Sequence, residues 1–299
     1  MTTIVLNKWS DVVLPERGRY QMAVTRDRKI VFIEADMNEH INKNQRTFRE
    51  DFTVNILDRN DVTSFVTKDL PFPPSHIDTY TDGTFLLVSG RCWRGHDWVQ
   101  HNARRCSADG ECLDEFVLGD GISTLAIDDE DKIWAGYFDE GVYGNLGWDE
   151  PIGRSGLVAF SESGEILFRP KLPMIHELLS LNVDRADSVY AYYTLFSSIV
   201  HFDHFEEVQN SEIHQSIDIG PIMLLDDELL LTYDYRIRAL SLLKKHEGVF
   251  TKEKEFRLED ADGNDLNKGN AVIRMRGNHL FLLNDSGIYQ VEVTAEMLV

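Results

Sequence analysis

Asp120, Asp139, Glu140 and Asn145 lie close together beside Tyr137, Tyr143 and Trp148, with Asn102 a short way upstream. Carboxylates and an amide set against aromatic faces suit the binding of a sugar, a cation or a basic side chain. The same residues have a purely architectural use. Asp120 and Asp139 cap turns by accepting backbone N–H groups, and Gly119, Gly121, Gly141 and Gly144 supply positive φ. The ligand-binding set expected on this basis is Asn102, Asp120, Tyr137, Asp139, Glu140, Asn145 and Trp148.

Three further clusters carry chemistry-bearing residues. Cys92, His96, His101, Cys106 and Cys112 follow the spacing C-x3-H-x4-H-x4-C-x5-C, which departs from the paired C-x2-C framework of structural zinc sites. An odd, low cysteine count fits a reducing compartment. Arg91, Arg94, Arg104 and Arg105, beside Trp93 and Trp98, form a basic island in an acidic chain. It can dock a carboxylate through bidentate contacts, and internal pairing with acids of the neighbouring repeat is the expectation. Glu259 to Asn267 resembles a calcium loop at Asp260, Asp262 and Asn264, then departs from it. Asp265 stands where the sharp turn needs Gly, and no acid occupies the twelfth position. No nucleophile-elbow, zincin or P-loop sequence is present, so catalytic residues remain unassigned and no cofactor is expected, calcium being the alternative.

The elements that must position these residues are short strands of period two. Residues 119–168 contain ISTLAID, KIWAGYF, GLVAFSE and EILFRP, separated by Asp- and Gly-rich turns, with a long polar insertion between the second and third strands. The same four-strand unit recurs along the chain, giving blades of approximately 20–69, 76–118, 122–170, 179–213, 220–259 and 271–293. The last supplies only three strands, and residues 2–7, containing TTIVLN, are expected to provide its fourth and close the ring. The fold expected is therefore all-β: a single six-bladed β-propeller over residues 1–299, built of four-stranded antiparallel blades. Three long insertions, residues 35–51, 89–101 and 139–155, fall on one face of the first three blades, while the opposite face has tight turns. Long loops gathered on one sector point to function.

Asp128 through Asp131, Ile133, Trp134, Ala135 and Gly136 resemble the D-x-x-G-x-[IL]-W-[AV]-G core of bacterial two-component-regulator and NHL-type propeller repeats, with Asp131 in the place of the usual Gly. Asn102 through Val158 also resembles bacterial propeller proteins with no assigned chemistry. The resemblance implies a fold; propellers host unrelated activities. Six-bladed lactonases of this kind hold calcium in the central channel, and by analogy the channel residues here are Asp120, Asn182 and Asn270.

Thirty Lys and Arg against 51 Asp and Glu give a net charge of −21. Such a surface repels phosphate and anionic lipid, so neither nucleic acid nor membrane is expected as a partner. The N-terminus has no basic stretch followed by an apolar one, and a cytoplasmic, monomeric protein is expected. The function expected is non-enzymatic binding of a protein or small polar ligand through the long-loop face of blades one to three. A basic partner neutralised by an immunity or inhibitor protein is the specific version. A calcium-dependent lactonase-like or sugar-derivative hydrolase, using Asp120, Asp139 and Glu140, is the alternative.

Overall fold

The computed structural model describes residues 2–14, 20–34, 47–171, 177–186, 188–214, 217–268 and 271–298. The first long insertion lies largely, and Asn270 wholly, outside the described residues. In chain order the strands are β1 (Thr2–Val5), β2 (Asn7–Ser10), β3 (Tyr20–Val24), β4 (Ile30–Glu34), β5 (Glu50–Asp58), β6 (Asp61–Leu70), β7 (His76–Thr79), β8 (Phe85–Val88), β9 (Ala103–Cys106), β10 (Cys112–Phe116), β11 (Ile122–Ile127), β12 (Ile133–Tyr137), β13 (Leu157–Phe160) and β14 (Ile166–Phe168). There follow β15 (Leu178–Arg185), β16 (Ser188–Tyr193), β17 (Ser198–Asp203), β18 (Glu206–Ile213), β19 (Ile219–Leu224), β20 (Leu229–Asp234), β21 (Ala239–His246), β22 (Val249–Glu259), β23 (Val272–Arg276), β24 (His279–Asn284) and β25 (Gly287–Glu292). A helical turn, α1 (Asp139–Tyr143), and a 3-10 turn at Ile152–Ser155 interrupt the connection from β12 to β13. That insertion therefore has structure of its own, where the sequence reading expected an irregular loop.

The chain forms two compact units, one of Met1–Leu14 with Ser180–Val299 and the other of Pro15–Leu179. Within Pro15–Leu179, three four-stranded antiparallel sheets run β3-β4-β5-β6, β7-β8-β9-β10 and β11-β12-β13-β14. Burial explains the order of strands. β8, β12 and β13 are buried at every position, whereas β6 and β10 are mostly exposed, so each sheet grades from a covered interior to a solvated edge.

Five of the hairpin turns share one construction. Thr25 to Lys29, Tyr80 to Thr84, Ser107 to Glu111, Asp128 to Lys132 and Ser161 to Glu165 are each closed by a backbone N–H to carbonyl bond of 2.8–3.0 Å. The fourth residue of each, Arg28, Gly83, Gly110, Asp131 or Gly164, has positive φ, as this three-residue hairpin requires. Asp131, at φ +63°, thus takes the conformation usually left to glycine. Asp128 organises the same turn. Its Oδ1 accepts the N–H groups of Glu130 and Lys132, each at 2.9 Å, and its Oδ2 accepts the indole N–H of the fully buried Trp134 at 2.8 Å. The Asp-to-Trp spacing of the repeat is the spacing of this hydrogen bond.

In the other unit, β2-β25-β24-β23 form a four-stranded sheet, and β15 to β22 belong to one nine-stranded sheet with β1. In place of the two separate sheets expected here, these eight strands are hydrogen-bonded into one. Two antiparallel groups of four, β15 to β18 and β19 to β22, are joined where Glu212 and Ile213 pair in parallel with Val249 and Phe250. The strand expected to complete the last sheet is corrected as well. Asn7–Ser10 pairs with β25, while Thr2–Val5 lies parallel along β22, from Thr2 opposite Phe256 to Val5 opposite Glu259. Ile4 and Leu6 are buried in a core with Phe256, Leu258 and Tyr289. That apolar pair favours covering the β22 edge, and the chain crosses from one sheet to the next between Val5 and Asn7.

Among the described residues no helix is long and apolar enough to cross a membrane.

Candidate functional site

The candidate site is built where the β8–β9 connection meets the β12–β13 connection. Glycines allow the approach. The N–H groups of Gly121 and Ile122 both donate to the carbonyl of Gly90, at 2.8 and 3.0 Å, and Phe138 N–H donates to the carbonyl of Gly121. A Cβ on Gly121, whose φ is +81°, would lie 2.3 Å from the backbone nitrogen of Gly141. No side chain fits between these two strands of backbone.

Above this contact the two connections are joined at several points. Arg94 N–H donates to the Leu146 carbonyl at 2.9 Å, the Trp148 indole N–H donates to the Cys92 carbonyl at 2.7 Å, and the Arg94 guanidinium lies 5.0 Å over the Trp148 ring. Arg91 is the central clamp. Its Nε is 3.1 Å from Asp120 Oδ1, its Nη1 is 2.5 Å from Glu140 Oε2, and its guanidinium lies over Phe138.

The expected site residues divide into two groups. Asn102 is fully buried, donates to the carbonyls of Ser89 and Gly119 at 2.8 and 2.9 Å, and accepts the N–H of Leu118 at 2.9 Å. Tyr137 is also fully buried and donates its hydroxyl proton to the Leu118 carbonyl at 2.5 Å; burial pushes its pKa well above the usual phenol range. Trp148 is buried by the contacts just described. These three build the platform. Asp139 is exposed and accepts the N–H of Glu140, while Glu140 and Asn145 are half-buried. The Asn145 side chain, and then Arg91, hold the Glu140 carboxyl below its ordinary range.

Asp120 belongs to both groups. Its Oδ1 accepts the Cys92 N–H at 2.8 Å, whereas its buried Oδ2 has no hydrogen-bond partner among the described residues. Burial raises its pKa, against the lowering pull of the Cys92 N–H and Arg91.

The basic island pairs internally. Besides Arg91, Arg104 donates to Glu115 and to the carbonyls of Lys68 and Asp69, and Arg105 bridges Asp82 and Glu162 at 2.7 Å each while lying over Tyr80. Sequence reasoning did not include Arg91 in the site, although its place beside the third-blade acids was the usable signal.

Of the channel residues expected by analogy, Asn182 is saturated in the manner of Asn102, donating to Ile222 and Gly277 carbonyls and accepting the Gly277 N–H. Asp260 folds its own turn, accepting the N–H groups of Asp262 and Asn264 and the Asn264 side-chain amide. Cys92 is buried in the β8–β9 connection, and Cys106 and Cys112 are paired in register on β9 and β10. Among the described residues, no three His, Cys, Asp or Glu side chains are grouped to hold a metal.

Two exposed aromatics rise from the joined connections: Trp93 is 40% and Tyr143 62% accessible. Exposed aromatic rings on a fixed backbone are the usual anchors of a protein interface.

No known family profile matches the sequence, and no curated protein matches it. Among solved structures the chain is similar to the PQQ-bound aldose sugar dehydrogenase of Streptomyces coelicolor, with 10% identity, a TM-score of 0.51, and coverage of 96% of this chain and 97% of that one. It also matches a streptogramin B lyase at 10% identity and TM-score 0.49, covering 95% of this chain and 96% of that one. The WD40 β-propeller domain of Doa1 matches at 8% identity and TM-score 0.46, with 95% of each chain covered. The chain has an all-β propeller fold of four-stranded antiparallel blades.

Proposed function

We propose that this protein is a non-enzymatic binding propeller that recognises a basic protein through the connections joined by Arg91. The single propeller has six blades on this reading, the nine-stranded sheet counting as two. The observation that carries the proposal is the division of labour within the site. Asn102, Tyr137 and Trp148 are used internally, Glu140 is held by Arg91, and the groups most exposed at the surface are Asp139, Trp93 and Tyr143. Carboxylates beside exposed rings suit lysine and arginine side chains, and a net charge of −21 would steer such a partner.

The hydrolase alternative has weaker support at these residues. Calcium coordination by Asp120, Asp139 and Glu140 needs converging oxygens. Here the Arg91 guanidinium contacts Asp120 and Glu140, the place a shared cation would take. These carboxylates do not fit that ion.

The test is native mass spectrometry of the protein purified gently from its own source, beside a D139K/Y143A variant. A stoichiometric protein partner, retained by the wild type and lost by the variant, is the expected outcome. Retained calcium without a protein partner would overturn the reading.

A further inference from the structure

The β9–β10 hairpin sets two cysteines opposite each other, and it contributes no residue to the Arg91 clamp. Cys106 and Cys112 are register partners on these strands, and both are free thiols. We infer that the pair is a reversible oxidation site, which a hydroperoxide closes into a cross-strand disulfide.

Register decides the geometry. Ser107 N–H donates to the Glu111 carbonyl at 2.9 Å, so Ser107 and Glu111 are the hydrogen-bonded pair that closes the turn. Hydrogen-bonded and non-hydrogen-bonded pairs alternate along an antiparallel ladder, which makes the next pair, Cys106 with Cys112, a non-hydrogen-bonded one. Directly opposed side chains stand on the same face of the sheet, and the Cα atoms of such a pair are about 4.5 Å apart. That separation lies within the about 4.4–6.8 Å that disulfides span. The bulge between Cys112 and Asp114 falls on the side of the pair away from the turn and leaves the two cysteines in register.

Exposure divides the chemistry between them. Cys106 is fully buried with its sulfur 3.6 Å from Thr67 Oγ1, whereas Cys112 is exposed. The Cys112 Sγ–H points to the Asp114 carbonyl across 4.0 Å, a weak contact that leaves the side chain able to turn. The Cys112 thiolate attacks one oxygen of the peroxide. The O–O bond breaks, the departing hydroxide takes up a proton to leave as water, and the sulfur becomes a sulfenic acid. Cys106 then loses its proton and attacks the Cys112 sulfur; the S–S bond forms, the S–O bond breaks, and a second water leaves. Two thiols and one peroxide thus give one disulfide and two waters, the thiols supplying the two electrons that reduce the O–O bond. Cys106 needs no access of its own, because its electrophile is the sulfur opposite.

Burial raises the pKa of both thiols, with Arg104 pulling each the other way. Both are therefore mostly protonated at neutral pH, and attack on peroxide is slow. The pair responds to sustained oxidation, and small thiols reopen it by exchange.

The test is exposure of the folded full chain to excess hydrogen peroxide, with the remaining thiols blocked by N-ethylmaleimide during unfolding. Cleavage after Glu111 separates Cys106 from Cys112, so their peptides stay joined only through sulfur. A joined pair lighter by two hydrogens, parted by dithiothreitol, is the expected product, with Cys92 recovered as a blocked thiol. C106S removes the resolving thiol, and its Cys112 should accumulate sulfinic acid at least tenfold above the wild type; C112S should leave Cys106 a thiol. Absence of the joined peptide from the oxidised wild type, or a bond made by Cys92 in its place, would overturn the inference whether or not the variants fold.

Discussion

Asn102 and Asp120 show how one side chain is spent entirely on structure while its neighbour keeps an atom in reserve. Every strong hydrogen-bonding direction of Asn102 that the backbone around it needs is used. N102A should therefore orphan buried backbone groups at about 1–3 kcal/mol each, read as a lower urea midpoint with an unchanged m-value. For Asp120 the sign follows from its raised pKa. Between the unfolded and folded values the native state holds more protons, so stability falls as pH rises through that interval. D120N preserves the acceptor for Cys92 N–H and lacks this titration. Its stability relative to the wild type should increase as pH is raised upward from 3.8, in urea denaturations at a series of pH values. A difference independent of pH would show that Asp120 does not titrate in that range. The acids and aromatics of the site were legible in the sequence as a cluster, because they are near one another along the chain. Their division into builders and presenters was not. Tyr137 and Tyr143 differ in burial because one ends a strand covered on both faces and the other ends a helical turn, a distinction that residue type does not carry.

At the scale of elements, the joined connections depend on backbone contact. Gly121 combines positive φ with an approach too close for a Cβ, so G121A should cost more than about 1 kcal/mol and loosen the contact between the connections. Hydrogen exchange at Gly121, Ile122 and Phe138 is the direct measurement, and faster exchange there than across β24 is expected. The strands themselves were readable from alternation and from Asp- and Gly-rich turns. The pairing of the first strand was not, since TTIV and NKWS both have the pattern of an edge strand and only long-range partners decide which sheet each joins. Ile4 and Leu6 select the β22 edge by burying against Phe256 and Leu258. Removing residues 2–5 should uncover that edge, lower Tm and promote self-association, measured by thermal denaturation and light scattering.

For the whole molecule, charge sets the terms of association. A surface at −21, on which Arg91, Arg104 and Arg105 are paired with acids of the same chain, attracts a cationic partner. Association with the proposed basic partner should slow steeply as ionic strength rises, with dissociation much less affected, and stopped-flow measurements over a salt series would show it. Insensitivity of the association rate to salt would place recognition on the aromatic rings alone.

The pairing of β2 with β25 joins Asn7 and Lys8 to Gln290 and Tyr289. During synthesis this sheet therefore stays unfinished from the emergence of Asn7–Ser10 to that of Gly287–Glu292. At about 5–20 residues per second, the leading segment waits tens of seconds for its partner strand. Throughout synthesis Trp9 lacks Phe281, the ring against which it finally packs. That sheet is complete only once Gly287–Glu292 is available, and a truncation that removed these residues would leave Asn7–Ser10 without its partner strand.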